Sequence, residues 1–170
     1  MDMGLVVLRL LHVTLGVYWA GAIFFTVLYL QPSLAEAGPD GAKVMQGIQR
    51  RGFMTVTPVL ALLTILTGLE LLRRASAGFE PAWFGSGTGI AYSTGMTAAI
   101  LALILGFFVM RTAMLKAAAL SARAQQAPET ERGALMDEVA RNRARATTTA
   151  RVVAVLLLVT VVTMAIGRYV

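Results

Sequence analysis

The chain has 170 residues, of which 57% are hydrophobic and only 14% are charged. Soluble domains average roughly 45–50% apolar and about 25% charged residues, so this composition argues against a soluble globular protein. Cysteine is absent from the sequence, which excludes disulfides, thiolate-bound metals and covalently attached c-type haem. The length suits one membrane domain and leaves little room for a separate soluble one.

Four stretches of the sequence are long and apolar enough to form the helix of about 20 residues that crosses a bilayer. They cover residues 4–30, 53–72, 90–110 and 147–167. We therefore predict an all-α fold, an integral membrane four-helix up-down bundle that forms a single domain over residues 1–170. Because the first stretch is much longer than the core of a signal peptide and no basic region precedes it, it predicts a retained anchor.

Proline and glycine mark the expected interruptions. Gln31-Pro32 predicts the end of the first span, and the turn residues from Gly38 to Gly41 predict a loop after it. Pro58 predicts a kink in the second span, because proline lacks a backbone donor and clashes with the preceding turn.

The third connection predicts a helical hairpin over about residues 111–146. Its residues are mostly good helix formers, and Pro128 interrupts them once. Two interpretations of its basic surface stay open. It is either a docking surface for a partner or for anionic lipid headgroups, or a solvated face that only sets the membrane topology.

Lysine and arginine are concentrated in the first and third connections between the spans. The positive-inside rule places those connections in the cytoplasm, and hence both termini on the non-cytoplasmic side of a bacterial inner membrane. This distribution accounts for the formal net charge of +6, so the charge predicts no nucleic-acid partner.

Three ionisable residues stand out within the spans, where such groups are expensive and usually functional. They are Arg9, His12 and Glu70. Arg9 and Glu70 are candidates for a proton carrier or a counter-ion. Alternatively, Arg9 extends to the headgroups and Glu70 pairs with the arginines that follow it.

His12 is the only histidine, and it shares one helix face with Gly16 and Trp19 because these residues are spaced by three and four. A neutral imidazole can bind haem iron, and Gly16 would leave a flat gap beside it for a porphyrin. A second iron ligand would be a methionine such as Met96 or Met164, a water, or the histidine of another protomer. Alternatively, His12 has a structural role, bonded to Glu70 or to a backbone carbonyl, or it transfers protons.

Leu10-Leu11-His12 followed by Tyr18-Trp19-Ala20-Gly21 resembles the first helix of small four-helix membrane proteins. That group includes the HemJ-type protoporphyrinogen oxidase and the copper-resistance D-like proteins. The resemblance implies haem binding at His12. The HemJ-type family has a lysine in its third helix. Residues 90–110 of this chain contain no lysine.

A second resemblance covers most of the chain. The connection from Gln31 to Gly41 and the terminal Met164 to Tyr169 are similar to those of a family of uncharacterised bacterial four-helix integral membrane proteins. This likeness implies the fold and no particular activity.

Two functions of different classes follow as expectations, and whether the chain is an enzyme stays open. The first is a membrane protein that binds haem b or a related tetrapyrrole through His12 in a redox role. The second is a non-enzymatic helical subunit or scaffold of a larger membrane complex, with a homo-oligomer as a related arrangement. The sequence carries no phosphate-binding loop, HExxH or GxSxG motif that would predict another chemistry.

Overall fold

The computed structural model describes residues 2–170, without the side chain of Pro39. All the regular secondary structure in this part of the chain is helical, which confirms the all-α prediction. The helices are α1 Met3–Glu36, α2 Gly38–Arg50, α3 Phe53–Ala75, α4 Pro81–Phe84, α5 Gly87–Gln126 and α6 Glu129–Ile166.

Four of these helices, α1, α3, α5 and α6, are long and apolar enough to cross a membrane. Their outer surfaces carry large apolar side chains such as Leu10, Val17, Phe108 and Val155, each of which is about half exposed or more. A soluble monomer rarely leaves so much apolar surface in contact with water. The exposed surface is therefore compatible with a lipid environment.

The first connection differs from the prediction. Helix α1 runs through Gln31-Pro32 to Glu36, and α2 begins with a proline in its first turn, where no backbone donor is needed. A π-helical turn at Thr26–Leu30 ends two residues before Pro32, and the helix continues through the proline despite its missing N–H. The predicted loop is thus wrong, because both prolines lie where a helix tolerates them.

The long helices pack mainly as two pairs. Helix α1 packs along α3, and α5 packs along α6, whereas the contacts between the two pairs are sparser. Trp19, which is 4% exposed, belongs to a core cluster with residues from all four helices. The other buried members of this cluster are Ile23, Ala61, Ala99, Ala102, Val153 and Leu157.

Pro58 lies inside α3 and produces a contact with α5. Since proline has no N–H, the carbonyl of Met54 one turn earlier lacks its usual helical donor. The Arg111 Nε of α5 lies 3.4 Å from that carbonyl oxygen and donates to it, and the Arg111 guanidinium stacks over the ring of Phe107. Arg111 of the second helix pair thus donates a hydrogen bond to the Met54 carbonyl, which has no helical donor because of the proline.

Small residues allow α5 and α6 to approach closely. A Cβ added at Gly95 would lie 2.5 Å from Thr163 Oγ1 and 3.0 Å from Met164 Cε. The hydroxyl of Thr160 donates to the carbonyl of Gly95 across the same contact, at 3.2 Å. By contrast, a Cβ at Gly106 would meet nothing within 4 Å.

Beyond the apolar segments, α5 and α6 continue as a hairpin that turns at Ala127 and Pro128. Ala117, Leu120 and Val139 form a small core of its own there. Lys116 Nζ lies 2.8 Å from Glu138 Oε1, and this contact, assisted by more distant arginines, lowers the pKa of the Glu138 carboxyl. The hairpin is therefore a packed extension of the second helix pair, with an ion pair across it.

We expect Gly95→Ala to destabilise the protein by about 1–3 kcal/mol, because the added methyl forces α5 and α6 apart. Gly106→Ala is the matched control. It adds the same group to the same helix in open space, so we expect it to be neutral or stabilising by up to about 1 kcal/mol. Thermal unfolding in detergent measures both. Equal stability of the two variants would contradict the close packing at Gly95.

Candidate functional site

His12 is held by α3 through one of its two ring nitrogens. Its Nδ1 lies 2.9 Å from the carbonyl oxygen of Thr64 and 3.2 Å from the hydroxyl oxygen of Thr67. A carbonyl oxygen can only accept, so Nδ1 carries the proton and donates. A neutral imidazole in this state leaves its Nε2 lone pair available to a ligand.

Gly68 makes this arrangement possible. A Cβ at that position would lie 2.7 Å from His12 Cε1 and 3.2 Å from His12 Nδ1. The imidazole can therefore lie against α3 only because residue 68 has no side chain. Thr64, Thr67 and Gly68 share one face of α3, and in the sequence they indicate only a surface for helix packing.

A partly open cavity of about 210 Å³ lies beside His12 in the middle of the bundle. Its lining residues come from α1, α3, α5 and α6, and nearly all of them are apolar. The exposed valines Val13 and Val17 of α1 and Val161 of α6 are among them, so the cavity opens between these two helices. That opening faces the surface that lipid would cover.

The other two candidate cofactor-binding residues also line the cavity. Trp19 is buried where the four helices meet, and Gly16 is half-buried. A Cβ at Gly16 would touch the Thr64 methyl at 3.4 Å. Gly16 therefore lies close to α3 on one side and borders the cavity on another.

Met96 and Met164 border the same cavity as His12. Met96 is 7% exposed, and its Cε would lie 3.3 Å from a Cβ at Gly68, next to the imidazole. His12 lines the cavity from α1, Met96 lines it from α5 and Met164 lines it from α6. These are the two methionines that the sequence suggests as a second iron ligand. Their thioethers are soft, weakly polar groups in an otherwise apolar wall.

The threonine hydroxyls on the cavity wall are occupied. Thr64 donates to the carbonyl of Leu60 at 2.8 Å, and Thr160 donates to the carbonyls of Leu156 and Gly95. Within residues 2–170 we find no hydrogen bond to His12 Nε2. Nε2 is therefore an acceptor without a partner on a residue that lines the cavity.

Glu70 and Arg9 lie apart from the cavity. The Glu70 carboxylate accepts from Arg73 and Arg74, in both cases with 2.7 Å between an arginine Nε and a carboxylate oxygen. Arg74 also reaches Asp2 at 3.2 Å, so these side chains form one ion-pair cluster at the end of α3. His12 is bonded to a backbone carbonyl rather than to Glu70, and Arg9 is exposed.

Haem b, which the resemblance implies, fits the cavity in its chemistry but not in its size. A proton fixed on Nδ1 orients His12 for iron, and a methionine ligand is at hand. However, the cavity of about 210 Å³ is smaller than the roughly 300–1,000 Å³ of sites for drug-sized ligands. A tetrapyrrole would require α1 and α6 to separate.

No protein-family model, curated protein or solved structure matches the chain. The candidate site is therefore defined by the geometry around His12 alone.

Because His12 is the only histidine, its ring can be observed directly in protein labelled with ¹⁵N-histidine and purified with a histidine-free tag. We expect the neutral form protonated at Nδ1, since Thr64 accepts that proton. In Gly68→Ala the methyl displaces the ring, and we expect both neutral forms to appear. A wild-type spectrum protonated only at Nε2 would contradict the hydrogen bond to Thr64.

Proposed function

We propose that the chain is an integral protein of a bacterial inner membrane, in which α1, α3, α5 and α6 cross the bilayer alternately as an up-down bundle. Both termini then lie on the non-cytoplasmic side, and the α5–α6 hairpin lies in the cytoplasm. The exposed apolar surface of the four helices supports insertion. The basic residues near the hairpin and α2 support the orientation.

The absence of cysteine provides a direct test of this orientation. A cysteine introduced at Ser121 or at Glu131 lies in the hairpin, and one introduced at Val170 lies at the opposite end. We expect an impermeant thiol reagent to label the first two only after the cells are opened, and the third in intact spheroplasts. The reverse pattern would overturn the proposed orientation.

We propose further that the protein binds a lipid-soluble redox group in the cavity beside His12. The observation that carries this proposal is the hydrogen bond from His12 Nδ1 to Thr64, which leaves Nε2 without a partner on a residue that lines a partly open cavity. Haem b or a related tetrapyrrole is the candidate that the resemblance implies, and its iron would supply one-electron chemistry when bound. His12 Nε2 would be the iron ligand, Gly16 and Trp19 would line the same cavity, and α1 and α6 would have to separate to admit the tetrapyrrole.

The haem proposal predicts a Soret band near ~410 nm in protein purified from haem-replete cells, because an imidazole contributes directly to iron affinity. We expect His12→Ala to lose this band and Arg9→Gln to keep it, since Arg9 lies outside the cavity. Absorption spectra, with circular dichroism to verify folding, measure this. A colourless wild-type protein, or an unchanged band in folded His12→Ala, would exclude haem ligation by His12.

A second candidate is a non-enzymatic helical subunit of a larger membrane complex. It is supported by the α5–α6 hairpin, which has its own small core and extends beyond the apolar segments. The exposed arginines Arg141 and Arg145, four residues apart on one face of α6, suit an acidic partner surface. The two functions are compatible, because the hairpin and the cavity lie at different levels of the bundle.

A further inference from the structure

The volume of the cavity limits what can bind without moving the helices. A closed apolar cavity of about 150 Å³ is known to take up a benzene molecule. The cavity beside His12 is somewhat larger, at about 210 Å³, and remains below the usual range for larger ligands. It therefore suits a single six-membered ring with small substituents.

The polar chemistry of the wall limits the ligand further. The hydroxyl protons of Thr64 and Thr160 are donated to backbone carbonyls, so they are unavailable. In the neutral imidazole, Nδ1 holds the single ring proton and donates it to Thr64, so Nε2 carries no proton and can only accept. A ligand hydroxyl can donate a hydrogen bond to Nε2, whereas a ligand carbonyl cannot.

The position of the opening determines how a ligand arrives. Val13, Val17 and Val161 line the cavity between α1 and α6, and all three are exposed on the apolar surface of the bundle. A ligand that passes between these valines comes from lipid rather than from water. Trp19, Met96 and Met164 then offer flat and polarisable surfaces to a ring.

We infer that the cavity beside His12 binds a lipid-soluble single-ring compound with a free hydroxyl group, a quinol or another phenol, whose hydroxyl donates to His12 Nε2. The inference rests on the proposal that this cavity is a ligand site, and it replaces the tetrapyrrole with a smaller group. The contact at Nε2 favours the reduced form of a quinone couple, because the oxidised form carries only acceptors at those positions.

The test uses the full chain in nanodiscs and two probes of nearly the same shape, 4-ethylphenol and 4-ethyltoluene. Both probes also dissolve in lipid, so we subtract the amount of each probe that is retained by empty nanodiscs of the same lipid. We expect 4-ethylphenol to bind about tenfold more tightly than 4-ethyltoluene, as one hydrogen bond in an apolar site allows. In His12→Phe, which keeps an aromatic ring but no acceptor, the difference should fall below about twofold.

Val161→Phe is the matched steric control. It leaves His12 intact and puts a larger side chain into the cavity wall, which reduces the space for a ligand, so we expect weaker binding of both probes without a change in their ratio. A second pair of probes, duroquinone and duroquinol that is kept reduced, shows whether the ligand is a quinol or a simpler phenol. Preference for duroquinol identifies a quinol site, whereas binding of 4-ethylphenol without duroquinol identifies a site for simpler phenols.

The outcomes separate the two proposals. Equal binding of 4-ethylphenol and 4-ethyltoluene, or a preference that survives in His12→Phe, overturns the hydroxyl inference and leaves the cavity as a ligand site. If neither probe binds above empty nanodiscs, the single-ring inference is wrong, and the Soret measurement alone decides the proposed function. A Soret band in the wild-type protein that depends on His12 also overturns the single-ring inference.

Discussion

The hydrogen bond from His12 Nδ1 to the Thr64 carbonyl is the interaction on which the candidate site depends. In a membrane an unpaired polar group is expensive, so a histidine within a span needs a partner from the protein. The carbonyl satisfies one ring nitrogen and fixes the proton on it. The other nitrogen of the neutral ring is thereby left as an acceptor, so the helix contact of His12 and its proposed role as a ligand-binding residue both follow from the same bond.

The pairing of the helices explains why a cavity exists beside this histidine. Within each pair, glycine removes the side chain that would separate the helices, at Gly68 between α1 and α3 and at Gly95 between α5 and α6. Between the pairs the contacts are sparser, and Trp19 is the large side chain buried at the centre. Close packing within pairs and looser packing between them leave space where the pairs meet.

The sequence was sufficient to predict the number of long apolar helices, because that signal depends on local composition. Periodicity also predicted that His12, Gly16 and Trp19 share one face. It could not predict the partner of His12, because Thr64 contributes a backbone carbonyl, which every residue type has. Nor could it predict the volume of the cavity, since this depends on how four helices that are distant in sequence pack together.

The effects of the prolines also could not be predicted from the sequence alone. Pro32 and Pro58 both indicate interruptions in the sequence, yet α1 and α3 continue through them. In α1 a π-helical turn ends two residues before the proline, and in α3 an arginine from the other helix pair partners the open carbonyl of Met54. Local chemistry predicts that a partner is needed. Which group supplies it is decided by tertiary packing.

The division into pairs also determines which parts of the site can move. The Nδ1 bond lies within the α1–α3 pair, whereas the cavity opens between α1 and α6, which belong to different pairs. A small displacement of α6 would widen the opening without breaking the bond that orients the imidazole. In the proposed function, the acceptor would therefore stay oriented while a ligand enters between α1 and α6, because the bond to Thr64 lies on the side of α1 that faces α3.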